Sequence, residues 1–189
     1  MTGTKIFRIP LWFICIVFLF LLIVVVFFRF GLGLNLTPSM PMGIWQETNH
    51  IIRGAFITFC LPEDNGMHRL VERRAYLPQG KCSDGFAPLL KQIVAMPGDL
   101  VDVTQVAIKV NGKIYAHSKT LLTDSKGRDM PYIAPGQYKV TENTYWVLAI
   151  DHPNSLDSRY FGAIPKSAIL HAMKPVAIFY RYHFQSASH

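Results

Sequence analysis

Metal-binding signatures are missing from this sequence. It spells no HExxH and no CxxC, and its seven histidines and three cysteines fall at no tight ligand spacing. A zinc or iron centre is therefore not expected, nor any other cofactor. Long runs of like charge are missing too. Lysine and arginine outnumber the acids by 19 to 12, yet they are scattered. A formal net charge of +7 in this form fits a solvated surface beside an anionic membrane better than a nucleic-acid patch. Internal repeats, low-complexity segments and inter-domain linkers are absent, which argues against a solenoid or a second exported domain. No small-x-small cleavage site follows the first apolar run, which argues against a removed signal peptide.

That run is the most emphatic feature present. Residues 11 to 28 read LWFICIVFLFLLIVVVFF without a charge. About 20 apolar residues span the hydrocarbon core, so this is an uncleaved transmembrane anchor. Lys5 and Arg8 precede it and Arg29 follows. The positive-inside tendency places the amino end in the cytoplasm. The chain divides into a stub and anchor, residues 1–33, and an exported domain, residues 34–189. The second part is long enough for one hydrophobic core.

The exported part reads as strands. GAFITFCL (54–61), LLKQIVAM (89–96), TYWVLAI (144–150) and PVAIFYRYHF (175–184) are short, apolar or alternating, and bounded by turn residues. VAIKVNGKIYA (106–116) carries Asn111-Gly112 between two alternating segments, a strong hairpin signal. Residues 62–88 hold several prolines and glycines and read as loop and turn, and KSAIL (166–170) as one helical turn. The fold class is mainly β behind one membrane helix.

Candidate chemistry begins with Ser39, held between Pro38 and Pro41 in LNLTPSMPMGIW. A serine hydroxyl needs a base, which a histidine or a lysine of lowered pKa supplies. Lys91 shares its period-2 face with Leu89 and Ile93, so burial would favour its neutral, basic form. The alternative is a lysine that snorkels to the surface. A Ser-His-Asp arrangement using His152 with Asp151 or Asp157 is also open. Asp157 and Arg159 form either a loop ion pair or part of a site. Met40, Met42, Ile44 and Trp45 suit either a membrane interface or the core. Cys60 and Cys82 are either a disulfide of an oxidising compartment or two separate buried thiols.

Taken in order, TPSMPMGIW, LLKQIVAMPGD and NSLDSRYFG resemble the three boxes of the serine–lysine type I signal peptidases. The Pro-Ser-Met-Pro-x-Gly form, the short chain and the cysteine-containing segment before PLLK resemble the TraF-type conjugative transfer members. The resemblance implies a signal-peptidase-like β-fold and a periplasmic catalytic domain on a bacterial inner-membrane anchor. It implies Ser39 as nucleophile and Lys91 as general base. Thr37 would help Ser39's own N–H form the oxyanion hole. Ser155 would hydrogen-bond the lysine, and Asp157 with Arg159 would brace the site. Where the family has Gly-Asp-Asn-Arg, this chain has Ala149-Ile150-Asp151-His152, so Asp151 and His152 are candidates to share the role of Ser155. The implied substrate is a pilin precursor or another signal-peptide-bearing protein. Some members also join the pilin's ends, and other transfer proteins are candidate partners. The alternatives are a general signal peptidase and a non-enzymatic scaffold of a transfer apparatus.

Overall fold

The computed structural model describes residues 10–62, 66–149 and 152–181. Lys5, Arg8 and Asp151 lie outside the described residues, as does the expected strand beyond residue 181. Helix α1, Leu11–Arg29, follows Pro10 directly. Its mean hydropathy is 3.4 and none of it is buried against protein. At about 1.5 Å per residue its 19 residues are long enough to cross a membrane.

The chain then builds a seven-stranded antiparallel sheet. Its strands are β1 (Leu32–Asn35), β2 (Met42–Thr48), β3 (Phe56–Phe59), β4 (Leu89–Ala95), β9 (Thr144–Leu148), β10 (Ile164–Pro165) and β11 (Ile169–Tyr180). The order across the sheet is β1-β2-β11-β3-β4-β9-β10. A second sheet holds β5 (Leu100–Val103), β6 (Ile108–Val110), β7 (Lys113–Ile114) and β8 (Gly136–Lys139), in the order β7-β6-β5-β8. The expected Asn111-Gly112 hairpin joins β6 to β7, and both turn residues take positive φ, 49° and 81°.

The last strand departs from expectation. It starts at Ile169 and runs through Pro175, because a register shift between Pro175 and Ala177 relieves the ladder at the proline. The helical turn expected at residues 166–170 is a 3-10 turn confined to Lys166–Ala168. β11 bridges β2 and β3 and passes so close to Gly43 that a Cβ there would lie 2.1 Å from the Ala177 carbonyl oxygen.

The segment 62–88, expected to be loop and turn, contains helix α2, Met67–Arg74. Met67, Leu70 and Val71 stand on one face at i, i+3 and i+4, and all three are buried. The prolines and glycines that suggested a loop flank this helix rather than interrupt it. A short helix α3, Ser158–Phe161, precedes β10. One core packs α2 and α3 against Ile57, Phe59, Ile93 and Val147 of the large sheet. A second joins Val94 and Trp146 to Val101, Val103 and Ile108 of the small sheet.

Candidate active site

β1 and β2 pair from Leu32–Gln46 up to Asn35–Gly43, so residues 36–41 form the loop of a hairpin. Ser39 sits in that loop. Pro38 and Pro41 fix local φ on either side of it. Trp45 is 1% exposed, packs on the ring of Phe56 at 4.9 Å, and donates its Nε1–H to the Pro41 carbonyl at 3.1 Å. It is thus a core residue supporting the loop, and not an interface residue.

Lys91 lies on β4 opposite Ile57 of β3. Leu89, Lys91 and Ile93 are buried alternately, as the period-2 pattern predicts. Lys91 is 2% exposed and does not snorkel. In sheet order β11 and β3 separate β2 from β4, and the curl of the sheet closes that gap. Lys91 Nζ donates to Ser39 Oγ at 3.2 Å. Burial pushes the lysine pKa down to about 8. Asp157 pulls it up, and Arg159 pushes it further down.

Asp157 and Arg159 are 0% and 1% exposed. Arg159 donates Nε–H to Asp157 Oδ1 at 2.8 Å and Nη2–H to Oδ2 at 2.9 Å, a bidentate pair. Burial works against the arginine's charge, but Asp157 outweighs it and the Arg159 pKa is raised. The guanidinium also reaches the carbonyls of Lys119 and Ser155, while Asp157 accepts the Ala149 N–H. The pair thereby ties together three segments of chain around the site.

Ser155 lines the same cavity as Ser39 and Lys91. Its buried Oγ has no hydrogen-bond partner among the described residues, so the implied bond to the lysine is not formed here. His152 is half-buried. Burial first, then Lys91 and Arg159, lower its pKa, which places it within electrostatic reach of the lysine. Thr37 lines the cavity, but its hydroxyl donates to Asn35 Oδ1 at 2.7 Å. Cys60 and Cys82 are joined in a disulfide with Cα atoms 5.7 Å apart. The bond links the end of β3 to the segment that leads into β4.

The cavity beside Ser39 holds about 540 Å³. Several of its walls were missed in the sequence: Tyr76 and Leu77 after α2, Leu121, Leu122 and Met130, and Tyr160 of α3. The loop from 121 to 130 is held by Asp124, which accepts from the Tyr76 hydroxyl at 2.5 Å and from the N–H groups of Lys126 and Arg128 at 2.9 Å. Burial opposes the charge on Asp124, but these donors hold its carboxyl below the usual range. The Asx pattern of Asp124-Ser125-Lys126-Gly127 was a legible turn signal. Asn35, which binds the serine loop, gave no signal beyond its place two residues before Thr37.

The arrangement can activate a hydroxyl by a buried amine within an apolar, partly enclosed groove. Comparisons with known proteins identify the family. Residues 6–177 match the family described as signal peptidase, peptidase S26. The chain is 35% identical to the conjugal transfer protein TraF of Agrobacterium fabrum (strain C58) over 147 residues, covering 77% of this chain and 81% of that one. It is 29% identical to a plasmid transfer protein TraF of Escherichia coli over 143 residues, covering 75% and 80%. A signal peptidase I from Enterococcus faecalis V583 aligns in structure over 67% of this chain and 98% of its own, at 20% identity and a TM-score of 0.38. The chain belongs to the signal peptidase family, peptidase S26, and within it to the TraF-type conjugative transfer members.

Proposed function

We propose that this protein is a membrane-anchored serine endopeptidase that removes the signal segment from a pilin precursor of a conjugative transfer system. The observation that carries the reading is the 3.2 Å contact between Ser39 Oγ and a buried Lys91 Nζ. The neutral lysine takes the serine proton as Oγ attacks the scissile carbonyl. The Ser39 N–H, with the Thr37 hydroxyl turned toward the cavity, stabilises the developing oxyanion. Lys91 then protonates the leaving amine, leaving an acyl-enzyme on Ser39. Asp157 and Arg159 brace the site, and Ser155, on the same cavity wall, and His152, within electrostatic reach of Lys91, are the residues we assign to steady the amine. Water releases a linear product, and the substrate's own amino terminus would instead close a ring. The anchor holds the site at the bilayer, with the amino end cytoplasmic and the catalytic domain periplasmic.

The test is the intact mass of a co-expressed pilin precursor with wild type, Ser39→Ala and Lys91→Ala. Processing by wild type that both substitutions abolish is the expected result. A product one water lighter than the trimmed linear chain adds ring closure. Equal processing by both variants overturns the dyad and favours a scaffold.

A further inference from the structure

We infer that Asn35 is the positioning residue of the serine loop, a role that rests on the dyad reading above. Asn35 closes the paired part of the β1–β2 hairpin opposite Gly43, so its side chain lies across the base of the loop that carries Ser39. Nδ2 donates to the Thr37 carbonyl at 3.1 Å, the Met40 carbonyl at 3.2 Å and the Pro41 carbonyl at 3.0 Å. Oδ1 accepts the Thr37 N–H at 3.2 Å and the Thr37 hydroxyl at 2.7 Å. One carboxamide therefore grips the chain on both sides of Ser39. Its orientation is fixed, because the opposite rotamer would aim an oxygen at three carbonyl oxygens.

Two consequences follow for the reaction. Prolines alone restrict φ, but they leave ψ free and supply no donor to the loop's carbonyls. The Asn35 rung removes that freedom and sets the arc that aims Ser39 Oγ at Lys91. The second consequence concerns Thr37. An amide oxygen only accepts, so the hydrogen of the Thr37 hydroxyl is committed to Asn35. It reaches an acyl oxygen only by turning away from Oδ1, which keeps the Thr37 N–H as its partner. Asn35 thus holds the hydroxyl beside the cavity until a carbonyl arrives there.

The experiment uses the full-length chain in detergent with a purified pilin precursor, followed by intact mass. Asn35→Ala is expected to lower kcat about tenfold to a hundredfold, the scale of a small misplacement of reacting groups, with KM within about twofold and the melting temperature little changed. Asn35→Asp keeps an acceptor for Thr37 but turns a second oxygen on the Met40 and Pro41 carbonyls, so it is expected to fall as far. Thr37→Val is expected to cost less in the Asn35→Ala background than in wild type, because the two act through one bond. A kcat for Asn35→Ala within about twofold of wild type overturns the inference, as does a loss fully accounted for by the unfolded fraction. Should Asn35→Ala fail to fold, Asn35→Ser carries the test, since its hydroxyl keeps the short turn to the Thr37 N–H. Its kcat is expected to fall severalfold to about tenfold below wild type, because the serine cannot reach the Met40 and Pro41 carbonyls, and a wild-type kcat overturns the role. Ser39→Ala is run alongside. If Ser39→Ala alone matches wild type, the dyad reading fails and takes this inference with it. If Ser39→Ala is inert while Asn35→Ala is fully active, only this inference fails.

Discussion

At the scale of single residues, Lys91 ties stability to activity. A buried ammonium is costly, and burial lowers the Lys91 pKa from 10.5 to about 8. Below about pH 8 both folded and unfolded chains hold the proton, and the full burial penalty is present. Between about 8 and 10.5 the unfolded chain keeps a proton that the folded one has released, so stability rises with pH through that window. The difference amounts to about 3 kcal/mol. Lys91→Met keeps the volume and removes the charge. It should melt above wild type at pH 7, with the gap closing toward pH 10.5, as denaturant titrations at three pH values would show. With Lys91 as the proposed base, the shift that costs stability would favour catalysis. Only the neutral amine accepts the Ser39 proton, so the processing rate should climb with pH and level off above about 8. A rate flat from pH 6 to 9 would count against Lys91 as the base.

At the scale of elements, two constraints hold the strands around Ser39 and Lys91. Gly43 sits under β11, where an added Cβ would lie 2.1 Å from the Ala177 oxygen. Gly43→Ala should therefore break the β2–β11 pairing and lower the melting temperature sharply. Gly66→Ala is the matched control, because nothing lies within 4 Å of a Cβ there. The second constraint is the disulfide between residues 22 apart, Cys60 and Cys82. Cys82→Ser should cost about 2–4 kcal/mol, and a reductant should destabilise the wild type by the same amount in denaturant unfolding and leave the variant unmoved. These elements were unequally legible in the sequence. β4, β9 and the Asn111-Gly112 hairpin announce themselves by apolar alternation and turn residues. Helix α2 does not, because its two turns stand among glycines and prolines. The strands β1, β5 and β8 have four residues each, too few for a pattern, and are fixed by their partners. Alternation put Lys91 on an apolar face but could not say that the face was covered. That depends on a loop 52 residues away in sequence, which only the motif order linked to it.

At the scale of the whole molecule, the site stands close to the membrane exit. Ser39 follows the end of α1 at Arg29 by ten residues, and a Gly31 turn leads straight into β1. Phe30, Leu34 and Leu36 in this stretch are exposed, as are Val176, Phe179 and Tyr180 on β11, which pairs with the same β2. An apolar surface beside an apolar helix suits the interface of a bilayer. On the proposed function, a substrate whose own signal helix lies in that bilayer would present its scissile bond near this depth, and the anchor would then be more than a tether. The chain should stay in the membrane pellet through an alkaline carbonate wash and be released by detergent. Arginines at Leu21 and Leu22, mid-helix, each carry a central insertion cost of about 2.5–3.5 kcal/mol and should move the chain out of the carbonate-resistant fraction. Processing of a membrane-inserted precursor should fall with that shift, while a short soluble peptide spanning the cleavage site should still be cut. Equal loss on both substrates would mean that α1 supports the fold of the domain, and not its placement at the bilayer.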